Sequence, residues 1–210
     1  MEKDTHVSAS DFLPDVLTLS SLRQAARGCE GCGLFRRATQ TVFGEGPEKA
    51  RIIMIGEQPG DTEDLEGSPF VGSAGKLLDR ALKDAAIDRS QVYVTNAVKH
   101  FKWEERGKRR IHKKPNMEEI NACRPWLEAE IAAIQPEVLA CLGATAAQSL
   151  MGRNFRVTAE RGKFFETRWG PFLTATVHPS SLLRLRDSGE RRQEYSRFVQ
   201  DLRGIRARLG

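Results

Sequence analysis

Residues Ile52-Ile53-Met54-Ile55 form an unbroken apolar run, led in by Arg51 and stopped at Gly56. A strand with one face in water alternates apolar and polar residues, so four apolar residues in succession need cover on both faces. The run therefore asks for a sheet sandwiched between helices, and a parallel sheet is the usual form of that arrangement. Similar runs occupy residues 91–95, 137–142 and 172–177. Helical patterns lie between them. Leu77, Leu78, Ala81, Leu82 and Ala85 share one face, and Ile120, Cys123, Leu127, Ile131 and Ile134 share another. Pro125 is expected to bend the second of these helices, because it lacks a main-chain donor. Tyr195, Phe198, Val199, Leu202 and Ile205 give a third amphipathic helix near the C-terminus. The pattern predicts an α/β fold: a three-layer α/β/α sandwich with a central, mainly parallel four-stranded sheet.

The 210 residues suit a single domain, 1–210, with about 1–16 as a polar N-terminal extension and 17–27 as a short helix. No apolar run reaches membrane-spanning length, and Met1 to Asp11 lacks the apolar core of a secretory signal. A cytoplasmic protein without membrane attachment is expected, and nothing in the sequence requires more than a monomer.

Ligands of such sheets bind beyond the carboxyl ends of the strands. Three of the apolar runs here empty into polar clusters: Gly56-Glu57-Gln58-Pro59-Gly60-Asp61, Asn96-Ala97-Val98-Lys99-His100 and His178-Pro179-Ser180-Ser181. Three clusters at three strand ends predict a site along one edge of the sheet. The stretch from Gly67 to Lys76 is not a phosphate loop, since Ser73 follows Gly72 and Leu77 follows Lys76. No G-x-G-x-x-G follows the first run either, so no nucleotide cofactor is expected. Phe70, between Pro69 and Val71 in this glycine-rich stretch, suits stacking on a flat ligand such as a base better than filling a core.

The formal charge is only +5, from 33 basic and 28 acidic residues, so placement matters more than the total. Lys108, Arg109, Arg110, Lys113 and Lys114 surround His112 between Gly107 and Pro115. Cations at this density hold phosphates, and they make a neighbouring imidazole harder to protonate. An unprotonated imidazole is a base or a nucleophile. Residues 104–115 read as an inserted basic loop, and Arg184, Arg186, Arg191 and Arg192 add further positive charge. A polyanionic partner follows.

Cys29 and Cys32 form a C-x-x-C among glycines, whereas Cys123 and Cys141 stand alone. A reducing compartment disfavours structural disulfides, which leaves metal or cluster ligation as the first reading of the pair and thiol redox chemistry as the second. Cys141, inside an apolar run, reads as a small hydrophobe.

In combination, Gly56-Glu57-Gln58-Pro59-Gly60, Pro69-Phe70-Val71-Gly72, Val94-Thr95-Asn96 and His178-Pro179-Ser180 resemble the motifs of the family 4 uracil-DNA glycosylases, from about Leu17 to the C-terminal helix. The inserted Lys108-Arg109-Arg110-Ile111-His112 is similar to the loop of the UdgX type within that group. The resemblance implies excision of uracil from DNA, single-stranded by preference, and covalent attachment of the protein to the abasic deoxyribose through His112. It implies a uracil pocket of Gly56, Phe70 and Asn96, and DNA contacts from Lys108, Arg109, Arg110, Lys113, Ser180 and Arg184. The chemistry of the residues agrees. Phe70 can hold the base by its face, Asn96 can donate to a carbonyl and accept from a ring N–H, and His178 can donate to the oxygen that gains charge.

Gln58 stands where some members of the superfamily carry a water-orienting aspartate, and a neutral amide is a poor base. That leaves Asp61 as a candidate for activating water. The other candidate is His112 attacking the sugar itself, with Glu57 accepting a hydrogen bond from its ring. The resemblance further implies a cluster of four irons and four sulfurs on Cys29, Cys32 and Cys123, with His100 where the family usually has cysteine. Zinc is the rival occupant, since three cysteines and a histidine also make a tetrahedral site. Two other functions stay open: a multi-turnover glycosylase that uses activated water, and a non-catalytic, metal-stapled DNA-binding protein.

Overall fold

The computed structural model describes residues 7–169 and 172–209. From the N-terminus the elements are a 3-10 turn at Ala9–Phe12, α1 (Leu19–Ala26), β1 (Ile52–Gly56), α2 (Asp61–Glu66), α3 (Ser73–Asp84), β2 (Val92–Asn96), β3 (Trp103–Arg106) and β4 (Arg109–His112). There follow α4 (Met117–Ile134), β5 (Val138–Leu142), α5 (Ala144–Met151), α6 (Val157–Glu160), β6 (Phe164–Phe165), β7 (Phe172–Thr176), α7 (Pro179–Arg184) and α8 (Ser188–Arg208).

The main sheet runs β2-β1-β5-β7-β6. The first four strands are parallel, and β6 pairs antiparallel with β7 at the edge. The sheet is thus five-stranded and mixed, one strand more than the sequence predicts, because two residues of strand leave no period to read. The apolar runs are apolar throughout for the reason expected. Ile53, Ile55, Tyr93, Leu139 and Leu173 join a core on one face with residues of α1, α4 and α5. Their neighbours Ile52, Met54, Val92, Val138 and Ala140 join a second core with residues of α3 and α8. Cys141 is fully buried in the first of these cores.

Helix α4 continues through Pro125 as one element, so the expected bend does not interrupt it. It starts at Asn116, whose side chain accepts from the Glu119 N–H at 2.8 Å while Glu119 accepts from the Asn116 N–H at 2.7 Å. Part of the expected N-terminal extension is packed: Ala9 is buried, and Phe12 and Leu13 lie against the same core as α4. Residues 1–6 of that extension fall outside the described residues.

Residues 104–115 are not simply a loop. β3 and β4 form a separate two-stranded antiparallel sheet, with Glu105 opposite Arg110 and Trp103 opposite His112. The turn is Gly107-Lys108, and Gly107 has φ +62, the first hairpin position that favours glycine. Charged strands with so few β-formers carry no strand signature, which is why the sequence hides this hairpin. Among the described residues no helix is long and apolar enough to cross a membrane.

Candidate active site

β1 and β2 pair with Gly56 opposite Asn96, so these residues lie side by side at the carboxyl edge of the sheet. A Cβ on Gly56 would overlap the Asn96 amide oxygen and come within 2.8 Å of Phe70 Cζ. The missing side chain is therefore what lets an amide and an aromatic ring share this corner. Phe70 sits at φ +58, a left-handed conformation that costs a bulky residue about 1–2 kcal/mol. Helix α3 holds it there, because Gly75 lets the helix close on the Phe70 carbonyl where any Cβ would overlap it.

His178 follows β7 and caps α7. Its ring lies 6.2 Å from that of Phe70, tilted by 31°. The Ser180 N–H donates to His178 Nδ1 at 3.2 Å, and Ser180 Oγ lies 2.8 Å from the same nitrogen. An Nδ1 that accepts puts the single proton of a neutral ring on Nε2. Burial pushes the His178 pKa down to about 4, with Arg184 and His112 adding to the shift. The side chain is thus a neutral donor at ordinary pH, and His112 stands close enough to be felt. Arg184 donates to Ser180 Oγ at 3.2 Å, so two of the six residues expected to touch DNA also support this histidine.

The hairpin carries His112 to the same edge. His112 Nε2 lies 3.4 Å from Glu57 Oε1, and the imidazole is about half exposed. The other Glu57 oxygen accepts from the Thr145 hydroxyl at the start of α5. Thr145 was not singled out in the sequence, although Leu142-Gly143-Ala144-Thr145 marks a fourth strand end. Gln58 is buried beneath the hairpin and uses its whole amide there. It donates to the Lys102 and Lys113 carbonyls at 3.1 Å each and accepts from the Lys102 N–H at 3.1 Å.

A second anchor is Arg110. It pairs with Asp61 at 2.6 Å and with the fully buried Asp64 at 2.6 Å. Asp64 also accepts from the Thr39 N–H and hydroxyl. Trp103 Nε1 donates to the Arg37 carbonyl at 2.8 Å, under the Arg37 guanidinium. Arg110 and Asp61 are therefore committed to each other, while Lys108 and Arg109 are exposed at the hairpin tip. Lys113 pairs with Glu104 at 2.8 Å on the surface.

Among the expected ligands, the three cysteines come together. Burial pushes the Cys123 thiol up to about 12; Lys99 opposes this, while Cys32 and Cys29 add to it. Cys32 is likewise raised, by burial first and also by Cys29. Trp126 Nε1 donates to Cys29 Sγ at 3.2 Å and the Lys99 N–H donates to Cys123 Sγ at 3.2 Å. N–H donors aimed at sulfur fit sulfurs that carry charge, as ligated thiolates do. His100 follows Lys99, whose N–H reaches Cys123; it is buried, with Nε2 2.8 Å from Thr41 Oγ1. Burial lowers its pKa to about 4, which leaves a neutral ring able to ligate. Among the described residues no group of three or more His, Cys, Asp or Glu side chains has the geometry to hold a single metal ion.

A mainly parallel sheet with a glycine floor, a strained aromatic, a buried amide and a neutral imidazole donor at its carboxyl edge offers the face contact and edge hydrogen bonds that a flat polar ring can use. The chain belongs to the uracil DNA glycosylase superfamily, whose family model matches residues 43–203. Within it the chain is similar to proteins named type-4 uracil-DNA glycosylase. It is 38% identical to the one from Thermotoga maritima over 170 residues, covering 80% of this chain and 85% of that protein. It is 37% identical to that of Archaeoglobus fulgidus over 173 residues, 79% of this chain and 83% of the relative. For that of Sulfurisphaera tokodaii the identity is 36% over 174 residues, 79% and 76% of the two chains.

Proposed function

We propose that this protein excises uracil from DNA and is then captured by its own product, through a bond from His112 to C1′ of the deoxyribose. The glycosidic C1′–N1 bond breaks with its electron pair leaving on uracil. Phe70 holds the base by its face, Asn96 pairs with its edge, and His178 Nε2–H donates to the carbonyl oxygen where negative charge gathers. The electron-poor sugar is met by the His112 ring nitrogen that Glu57 does not engage. The proton of the engaged nitrogen passes toward Glu57 as the new C–N bond forms.

The carrying observation is the His112–Glu57 contact beside the pocket, with both groups weighed for water activation already committed. Gln58 spends its amide on the hairpin, and Asp61 is paired with Arg110. Lys108 and Arg109, exposed at the tip, would meet DNA phosphates, together with Lys113 at the base of the hairpin. Arg110 is assigned to holding the hairpin in place.

Cys29, Cys32, Cys123 and His100 would hold a four-iron, four-sulfur cluster. Its part would be structural, tying the N-terminal segment to the sheet, since base excision needs no electron. Zinc on the same four side chains is the rival occupant, and a brown protein with broad visible absorption would mark the cluster instead.

The test is incubation with a single-stranded uracil oligonucleotide, followed by a denaturing gel and assay of free uracil. The expected result is released uracil and a heat-stable, shifted protein band. His112→Ala is expected to abolish the band and keep the release. Release without any band in the unaltered protein would leave the multi-turnover, water-using reading, and no release would leave only DNA binding.

A further inference from the structure

We infer that the buried Lys99–Glu130 ion pair is a positioning device for Asn96, and through it sets how well the pocket reads its base. The inference rests on the uracil-excising role proposed above. Both side chains are fully buried, with Lys99 Nζ 2.6 Å from Glu130 Oε2. Lys99 has three N–H donors and uses all three. The other two go to Thr95 Oγ1 at 2.7 Å and to the Asn96 carbonyl at 2.8 Å. Glu130 in turn accepts from the Thr95 hydroxyl at 3.0 Å, from the Tyr93 hydroxyl at 2.9 Å and from the Gly44 N–H at 3.2 Å. Tyr93, Thr95 and Asn96 thus all hang on one charged pair.

The topology explains why such a support is needed there. β2 is an edge strand, and among the described residues its outer side pairs with other backbone through an isolated bridge between Glu45 and Val94. That bridge ends two residues before Asn96, whose carbonyl is then held by the Lys99 ammonium. On the inner side, the Gly56 carbonyl takes the N–H of Ala97, the residue after Asn96. An ion pair wholly removed from water is a poor source of stability, since apolar replacements of similar size are often as stable or more so. Its geometric specificity is the better reason for its presence at this strand end.

The test compares the unaltered protein with the neutral double variant Lys99→Met/Glu130→Leu, which leaves no unpaired buried charge. Thr95→Val serves as a milder second variant that removes only the shared hydroxyl. Two quantities are read: the single-turnover rate on a uracil oligonucleotide, and affinity for an oligonucleotide carrying a tetrahydrofuran abasic-site analogue. The analogue offers no base to Asn96. The expected result is a fall in excision of about 10–100-fold for the double variant, and a smaller fall for Thr95→Val, because a misplacement near 1 Å costs about that much. Analogue affinity and melting temperature should stay close to those of the unaltered protein.

Unchanged excision in the double variant overturns the inference. So does an equal loss of excision and analogue affinity, which marks a merely structural pair. If the double variant does not fold, Thr95→Val decides by the same two readings. Failure of the unaltered protein to release uracil would instead remove the glycosylase reading, and this inference with it.

Discussion

The pocket turns on a side chain that is absent. Gly56 leaves the room in which the Asn96 amide and the Phe70 ring meet, so Gly56→Ala should displace one or both. The expected outcome is a loss of about 100-fold or more in single-turnover uracil excision, with little change in melting temperature. The sequence marks Phe70, Asn96 and His178 as candidates by their chemistry and their places at strand ends and in a glycine-rich loop, and the structure brings the three to one corner. The left-handed backbone of Phe70 and the dependence on Gly75 were not legible, since both are properties of how α3 closes on the loop. The sequence also marked Gln58 as a poor base, and the structure supplies the use it has instead. An aspartate there could accept from the Lys102 N–H, but it could not donate to two carbonyls.

The decisive element is the hairpin, the part of the fold that sequence reading described least well. Hydrophobic period finds elements that bury a face, and β3 and β4 bury little: five of their eight residues are Glu or Arg. They are held by side chains from elsewhere, which leave no trace in local pattern. Gln58 fixes the base of the hairpin, and Asp61 and Asp64 fix its side through Arg110. Gln58→Glu replaces two donated hydrogen bonds by carboxylate facing carbonyl; the Lys102 carbonyl keeps the Lys113 N–H, while the Lys113 carbonyl loses its Gln58 donor at a cost of about 1–3 kcal/mol. The expected result is uracil release with much less covalent band, together with faster tryptic cleavage at Lys108 or Arg109. Equal adduct yield in the two proteins would show that His112 needs no such anchoring.

The whole molecule shows why the sheet was readable and its edges were not. Four parallel strands with both faces covered write themselves as apolar runs, whereas the two-residue antiparallel strand Phe164–Phe165 does not. The C-x-x-C was visible as a metal-type pair and Cys123 joined it only through the family resemblance, because their approach to one another depends on α4 packing beside the N-terminal segment. Acid sensitivity is a property at this scale. The folded His178 pKa is lowered to about 4 from an ordinary value of 6.5, so the unfolded chain binds more protons between those limits. Its contribution to stability is complete above pH 6.5 and declines as pH falls toward 4. Denaturant melts from pH 7 to pH 4 should show a falling midpoint, and His178→Gln should flatten that part of the curve.

The hairpin leaves and rejoins the body at two points that already touch, where the Lys113 N–H donates to the Lys102 carbonyl at 2.9 Å. A finger set on such a closed neck can be spliced in or cut out during descent without disturbing the register of any other strand. Under the chemistry proposed here, one short graft separates a scavenger that is reused from a single-use tag left on the damaged strand.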